Sequence, residues 1–312
     1  MSQVEVDKII PQSGTTLTVG DSGDTVTFTS GANLSVDGTI KLDGNYPTGT
    51  ANVALGDTAL DSVASSGTHN TVIGNQSGTA ITTGDHNTAV GSCALITLST
   101  GSNNTAIGDR SLRNNTGGEN TSVGAFSLEA NVGGECNTAV GRTSLCGNTT
   151  GGCNTAVGFQ SLKANTTAST NTAVGVEAMV STTTGFGTAV GYGAMKANTT
   201  SSGNTAMGFQ AMCSVTTGGN NTAFGLEALK SVVTGTNNVA VGRDALELNT
   251  GSHNTAVGYL ALGVNTSGSS NVAVGCGALL DNTSADKNTA IGLGAAANTT
   301  TGGCNTVVGM GA

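Results

Sequence analysis

The chain has 312 residues, yet 49 are glycine and its aromatics are 6 Phe and 3 Tyr with no Trp, which excludes a bulky aromatic core. Charged residues make up 9% and the net charge is −9. Those values exclude a charge-rich disordered chain and a Lys/Arg surface able to replace the counterions of nucleic acid.

Met1 to Pro11 places Glu5, Asp7 and Lys8 among apolar residues. It lacks the basic start and apolar run of a secretory signal, so synthesis in a cytosol without signal-directed export is expected. No apolar run approaches the ~20 residues of a membrane span, so no membrane insertion is expected. Thr16-Leu17-Thr18-Val19, Thr25-Val26-Thr27-Phe28 and Thr39-Ile40-Lys41-Leu42 then alternate polar and apolar between glycines. That pattern predicts short β-strands joined by turns. Residues 1–48 are therefore expected to form a small β attachment module, and residues 49–312 a repeat domain.

From there to the end one pentapeptide recurs, as in Asn137-Thr138-Ala139-Val140-Gly141 and Asn154-Thr155-Ala156-Val157-Gly158. Sixteen copies close on Gly56, Gly74, Gly91 and so on to Gly309, mostly 17 residues apart, with one step of 18 and three of 16. A fixed period of this length predicts a β-solenoid, in which each coil buries its apolar face only against its neighbours. Position numbers below are counted from the closing glycine as zero. Position −4 is Asn in fifteen of sixteen copies, the exception being Gly187. Stacked coils would align these amides into a ladder. Positions −4 to 0 carry no charge, which predicts a strand covered on both faces.

Positions +3 and +4 read Ala94-Leu95 or Ser161-Leu162, and a second, shorter strand is expected there. Of the 21 charged residues from Ala51 onward, 15 lie at +1, +2 or +5, so this half of the coil is expected to face water. Segments such as Asn148-Thr149-Thr150-Gly151-Gly152 predict the turn back. Coils ~4.8 Å apart would build a rod of about 75 Å.

The repeat Asn-Thr-Ala-Val-Gly-x-x-Ala is similar to the head repeat of YadA-like trimeric adhesins. The Asn-Thr-Ala-Val-Gly arrays with Asn-Thr-Thr-Gly turns, and the opening Val6 to Leu17, resemble tail-fibre proteins of marine bacterial viruses. The resemblance covers about Ala51 to Ala312. It implies a left-handed parallel β-roll of about sixteen 17-residue coils, three chains side by side, with the uncharged strand facing the trimer interior. It also implies a virion fibre that docks to tail or baseplate proteins through its N-terminus and adsorbs to host-surface glycan such as lipopolysaccharide. The alternatives are a purely structural or decorative virion component, a cellular trimeric adhesin head, and an ice-binding solenoid using Thr at −3. Repeats longer than those of the adhesin heads, with no stalk or anchor, favour the virus.

No catalytic grouping stands out, no cofactor is expected, and an enzyme is not. His69 and His86 occupy −5 on successive coils and would hold a transition metal only if that column faced a threefold axis. The alternative is a polar turn position. Cys136 and Cys153 share the same column, within reach of a disulfide but expected to stay reduced in a cytosol. At +1, Phe159, Val176, Tyr192, Phe209, Leu226 and Tyr259 would align into a stripe. Phe159, Tyr192, Phe209 and Tyr259 are the candidate receptor contacts; packing at a corner between protomers is the alternative use. The structural residues of the repeat are Asn137, Val140, Gly141, Asn154, Val157 and Gly158.

Overall fold

The computed structural model describes residues 51–64 and 66–312. The expected β module at 1–48 lies outside the described residues. The rest is an all-β parallel solenoid with no helix: sixteen strands, from β1 (Val53–Leu55) to β16 (Thr306–Val308), form a single parallel sheet in strict chain order. Each strand is only three or four residues long. In β6 (Thr138–Val140) and β7 (Thr155–Val157), Thr138 faces Thr155, Ala139 faces Ala156 and Val140 faces Val157. Thr138 N–H donates to the Asn154 carbonyl at 2.8 Å, and Gly158 N–H to the Val140 carbonyl at 2.7 Å.

The interior is lined by small residues and one aliphatic column. Ala139, Ser144 and Leu145 have no exposed surface, and their counterparts repeat coil after coil. Large and small residues compensate between neighbouring columns. Where Leu at +4 is replaced by Gly78, the space is filled by Val72 and Ile81, whose methyl groups lie 3.2 and 3.0 Å from where a Cβ would stand. Such exchange keeps volume constant, which is what a close-packed interior tolerates.

The expected second strand is absent among the described residues. Positions +3 and +4 are buried as expected of apolar residues, but in tight turns. Ser144 N–H donates to the Gly141 carbonyl at 3.2 Å, and Asn148 N–H to the Leu145 carbonyl at 3.0 Å. These turns put ordinary residues in the left-handed region: Thr143 at φ 57° and Leu145 at φ 48°, with Cys136 at 57° on the opposite corner. The +4 column holds Leu, Met, Gly and Ala and never Val, Ile or Thr. A β-branched side chain fits poorly at positive φ, so the turn selects an aliphatic residue that branches further out. The cost of these conformations, about 1–2 kcal/mol each, is offset by backbone bonds to both neighbouring coils. Thr143 N–H reaches the Ala125 carbonyl at 3.0 Å, and Leu145 N–H the Ser161 carbonyl at 3.0 Å.

The amide ladder at −4 is present and buried. Asn137 Oδ1 accepts from both the backbone N–H (2.9 Å) and the Nδ2 (3.1 Å) of Asn154. Its own Nδ2 donates to Asn120 Oδ1 at 3.2 Å and to the Gly151 carbonyl at 2.9 Å. At Gly187 the ladder is interrupted. There β9 (Gly187–Val190) and β10 (Asn204–Met207) pair over one extra residue, and Asn204 Nδ2 turns to Ser201 Oγ at 2.7 Å.

A second ladder, not expected from the sequence, runs at +7. Asn148 Nδ2 donates to Asn131 Oδ1 at 2.6 Å, and Asn165 Nδ2 to Asn148 Oδ1 at 2.7 Å. It also distinguishes two of the three short coils. In five coils the +7 amide bonds a carbonyl three residues on, as Asn131 does to Gly134 and Asn265 to Gly268. In two of the short coils the turn is one residue tighter, and Asn115 bonds Gly117 and Asn249 bonds Gly251. The third short step is the one that ends at Gly191, just after Gly187.

Asn137→Ala is expected to cost about 1–3 kcal/mol, because the backbone N–H of Asn154 loses its acceptor inside the coil. Thr150→Ala, at an exposed turn position, is expected to stay within about 0.5 kcal/mol of wild type. Denaturant unfolding of the two variants checks the difference; equal midpoints would remove the ladder from the account of stability.

Candidate functional site

Each strand turns its −2 residue inward and its −3 and −1 residues outward. Ala139 is fully buried, whereas Val140 is 36% exposed and Thr138 half-buried. A strand covered on both faces therefore does not describe a single chain: the inner face is covered and the outer one open. The Thr column at −3, expected in the covered half, lies on this open side. The −1 column beside it stays apolar, with Ile73, Ile107, Met207, Phe224 and Val257 all exposed. No charge interrupts either column.

The +1 stripe stands on another part of the surface, and Phe159, Tyr192, Phe209 and Tyr259 are all exposed. Tyr192 and Phe209 stack on each other, ring centroids 5.2 Å apart and 14° from parallel. The guanidinium of Arg243 lies over the Tyr259 ring at 5.7 Å. These rings thus spend a face on the next coil, where aromatic pairs and cation–π contacts contribute on the order of 1 kcal/mol each. What they offer a ligand is mainly their edges. Beside them run ion pairs on the exposed surface, Lys196 to Glu177 at 2.6 Å and Lys230 to Glu227 at 3.0 Å. The carboxylate bonded to each ammonium raises both lysines above their ordinary value.

The −5 and −6 columns form a polar corner. His69 and His86 are exposed at left-handed turn positions, φ 58° and 56°, with rings parallel to within 5° at 4.8 Å. Two rings stacked this way do not aim their lone pairs at one ion. Among the described residues no group of three or more His, Cys, Asp or Glu side chains could hold a metal ion. Asp85 accepts from the backbone N–H of Thr68 at 2.7 Å and from its hydroxyl at 3.0 Å. Those bonds, the backbone one foremost, hold its carboxyl below the usual range. A shallow polar hollow of about 310 Å³ lies nearby, lined in part by Ser102, Asn103, Glu119 and Glu135. It brings together no nucleophile and base.

No protein-family model matches the chain, and no curated protein matches it. Function has therefore to be argued from these columns. Among the described residues no helix is long and apolar enough to cross a membrane.

Proposed function

We propose that this chain is an adhesive fibre protein of a bacterial virus: a homotrimer of left-handed, mostly 17-residue coils, docked through its N-terminal segment to tail or baseplate proteins. The observation that carries this reading is the open strand face. Its apolar −1 column runs beside the uncharged −3 column along sixteen strands, and a continuous exposed apolar strip marks an interaction surface. Three copies packed around an axis cover it, leaving the charged and turn columns outside. A rod with the same surface on every coil then binds a repetitive host glycan by many weak contacts, which gives avidity without a deep pocket. Tyr192 and Phe209, stacked on each other, and Tyr259, capped by Arg243, serve as corner packing and contribute edges to that surface.

Particles lacking residues 51–312 are expected to keep their other proteins and adsorb poorly to host cells. Normal adsorption by such particles would make the chain a structural or decorative component instead. One observation favours a second reading: the Thr column lies on the open side, where an ice-binding solenoid would need it. Thermal hysteresis in solutions of the purified protein would support that reading over the fibre.

A further inference from the structure

Cys136 and Cys153 stand one above the other at the −5 corner, in the same left-handed conformation, φ 57° in both. The frame around them is fixed. Cys153 N–H donates to the Glu135 carbonyl at 2.9 Å. The next residue, Asn154, is held by Asn137 Oδ1 at 2.9 Å, and Thr155 pairs with Thr138. Adjacent strands lie about 4.8 Å apart, which places the two Cα atoms inside the roughly 4.4–6.8 Å range of disulfides. Both thiols are exposed and free. The other five cysteines have no thiol on the coil above or below. Cys213, for example, lies in a column between Lys196 and Lys230, and Cys304 follows Lys287.

Glu119 completes the stack. The Cys136 thiol donates to Glu119 Oε2 at 3.1 Å, and this bond is the main reason the thiol is pushed up to about 11. Cys136 is thereby kept protonated, with a carboxylate placed to receive its proton.

We propose that Cys136 and Cys153 form a modification site for hydroperoxides, closing to a disulfide that staples two successive coils. The Cys153 thiolate attacks the O–O bond of hydrogen peroxide and becomes a sulfenic acid; the released hydroxide takes up the thiol's proton and leaves as water. The Cys136 sulfur then displaces hydroxide from that sulfenic acid. Its proton passes to Glu119 and on to the departing hydroxide. Two thiols and one peroxide yield one disulfide and two waters. The staple ties neighbouring coils of one chain and does not depend on the fibre reading.

The test is stoichiometric hydrogen peroxide on the full chain, followed by alkylation and peptide mass spectrometry. The expected product carries Cys136 and Cys153 joined, two hydrogens lighter, and reopens with dithiothreitol, while Cys276 and Cys304 are recovered alkylated. Cys136→Ser should leave a dimedone-trappable sulfenic acid on Cys153. Circular dichroism matching wild type would show that this variant is folded. Alkylation of Cys136 and Cys153 to the same extent as Cys276 would overturn the proposal. So would a covalent dimer on a non-reducing gel with either thiol joined to another chain.

Discussion

Gly141→Ala is expected to break the stack between β6 and β7. Gly141 has φ +130°, a region that only glycine populates freely. A Cβ there would stand 2.6 Å from the Gly158 carbonyl oxygen and 2.7 Å from its carbon. Both are backbone atoms that cannot rotate away. Strain alone costs about 1–3 kcal/mol, and the overlap adds to it unless the coils part. Parting them would give up the bond from Gly158 N–H to the Val140 carbonyl. Gly277 provides the control. It has φ +62° and open space around the Cβ position, in a column where Thr143 already sits at φ 57°. Gly277→Ala should cost no more than about 1–2 kcal/mol. Denaturant unfolding and limited proteolysis around residue 141 would separate the two; similar losses would mean that the close approach of successive glycines does not limit the fold.

Val140→Asp is expected to have the next largest effect, and its size depends on the assembly. In an isolated chain residue 140 is 36% exposed, so a carboxylate there stays hydrated and the change should be mild. In the proposed trimer each chain loses about 1.5–3 kcal/mol of valine burial and gains an unpaired buried carboxylate costing several kcal/mol. Wild type should sediment as a trimer at micromolar concentration, and the variant should dissociate or melt far lower. A folded wild-type monomer by sedimentation would falsify the trimer, and an unchanged melt of Val140→Asp would place the interface on another face.

The strand and the −4 ladder were legible in the sequence because nearly every copy keeps Asn, a small residue, an aliphatic residue and Gly at fixed spacing. Position −1 is rich in Val and Ile, as a strand should be. The +3/+4 pair resembles a strand because it is apolar and recurrent. Its lack of β-branched residues was the signal for a left-handed turn, and a test of propensity column by column would have found it. The +7 ladder was hidden for a different reason. Asn115, Asn148 and Asn165 share their column with Val63, Ile81, Leu98, Val215 and Val232. The interior accepts either a bonded amide or an aliphatic group there, so no single residue type marks it. The open side of the strand was not legible either. An uncharged strand says that both faces avoid charge, not which one is covered by the chain's own coil.

The ladders treat one coil much like the next, so what Asn154 offers Asn137, Asn171 offers as well. Excising residues 142–158 would join Gly141 to Phe159 and bring Asn171 under Asn137 with the same donors and acceptors in place. Stability in such an array is a sum over nearest neighbours, so the loss of one coil removes one increment and leaves the rest intact. The reach of the rod is then adjustable in single-coil steps, each gain or loss of one repeat leaving the ladder bonds of the remaining coils in place.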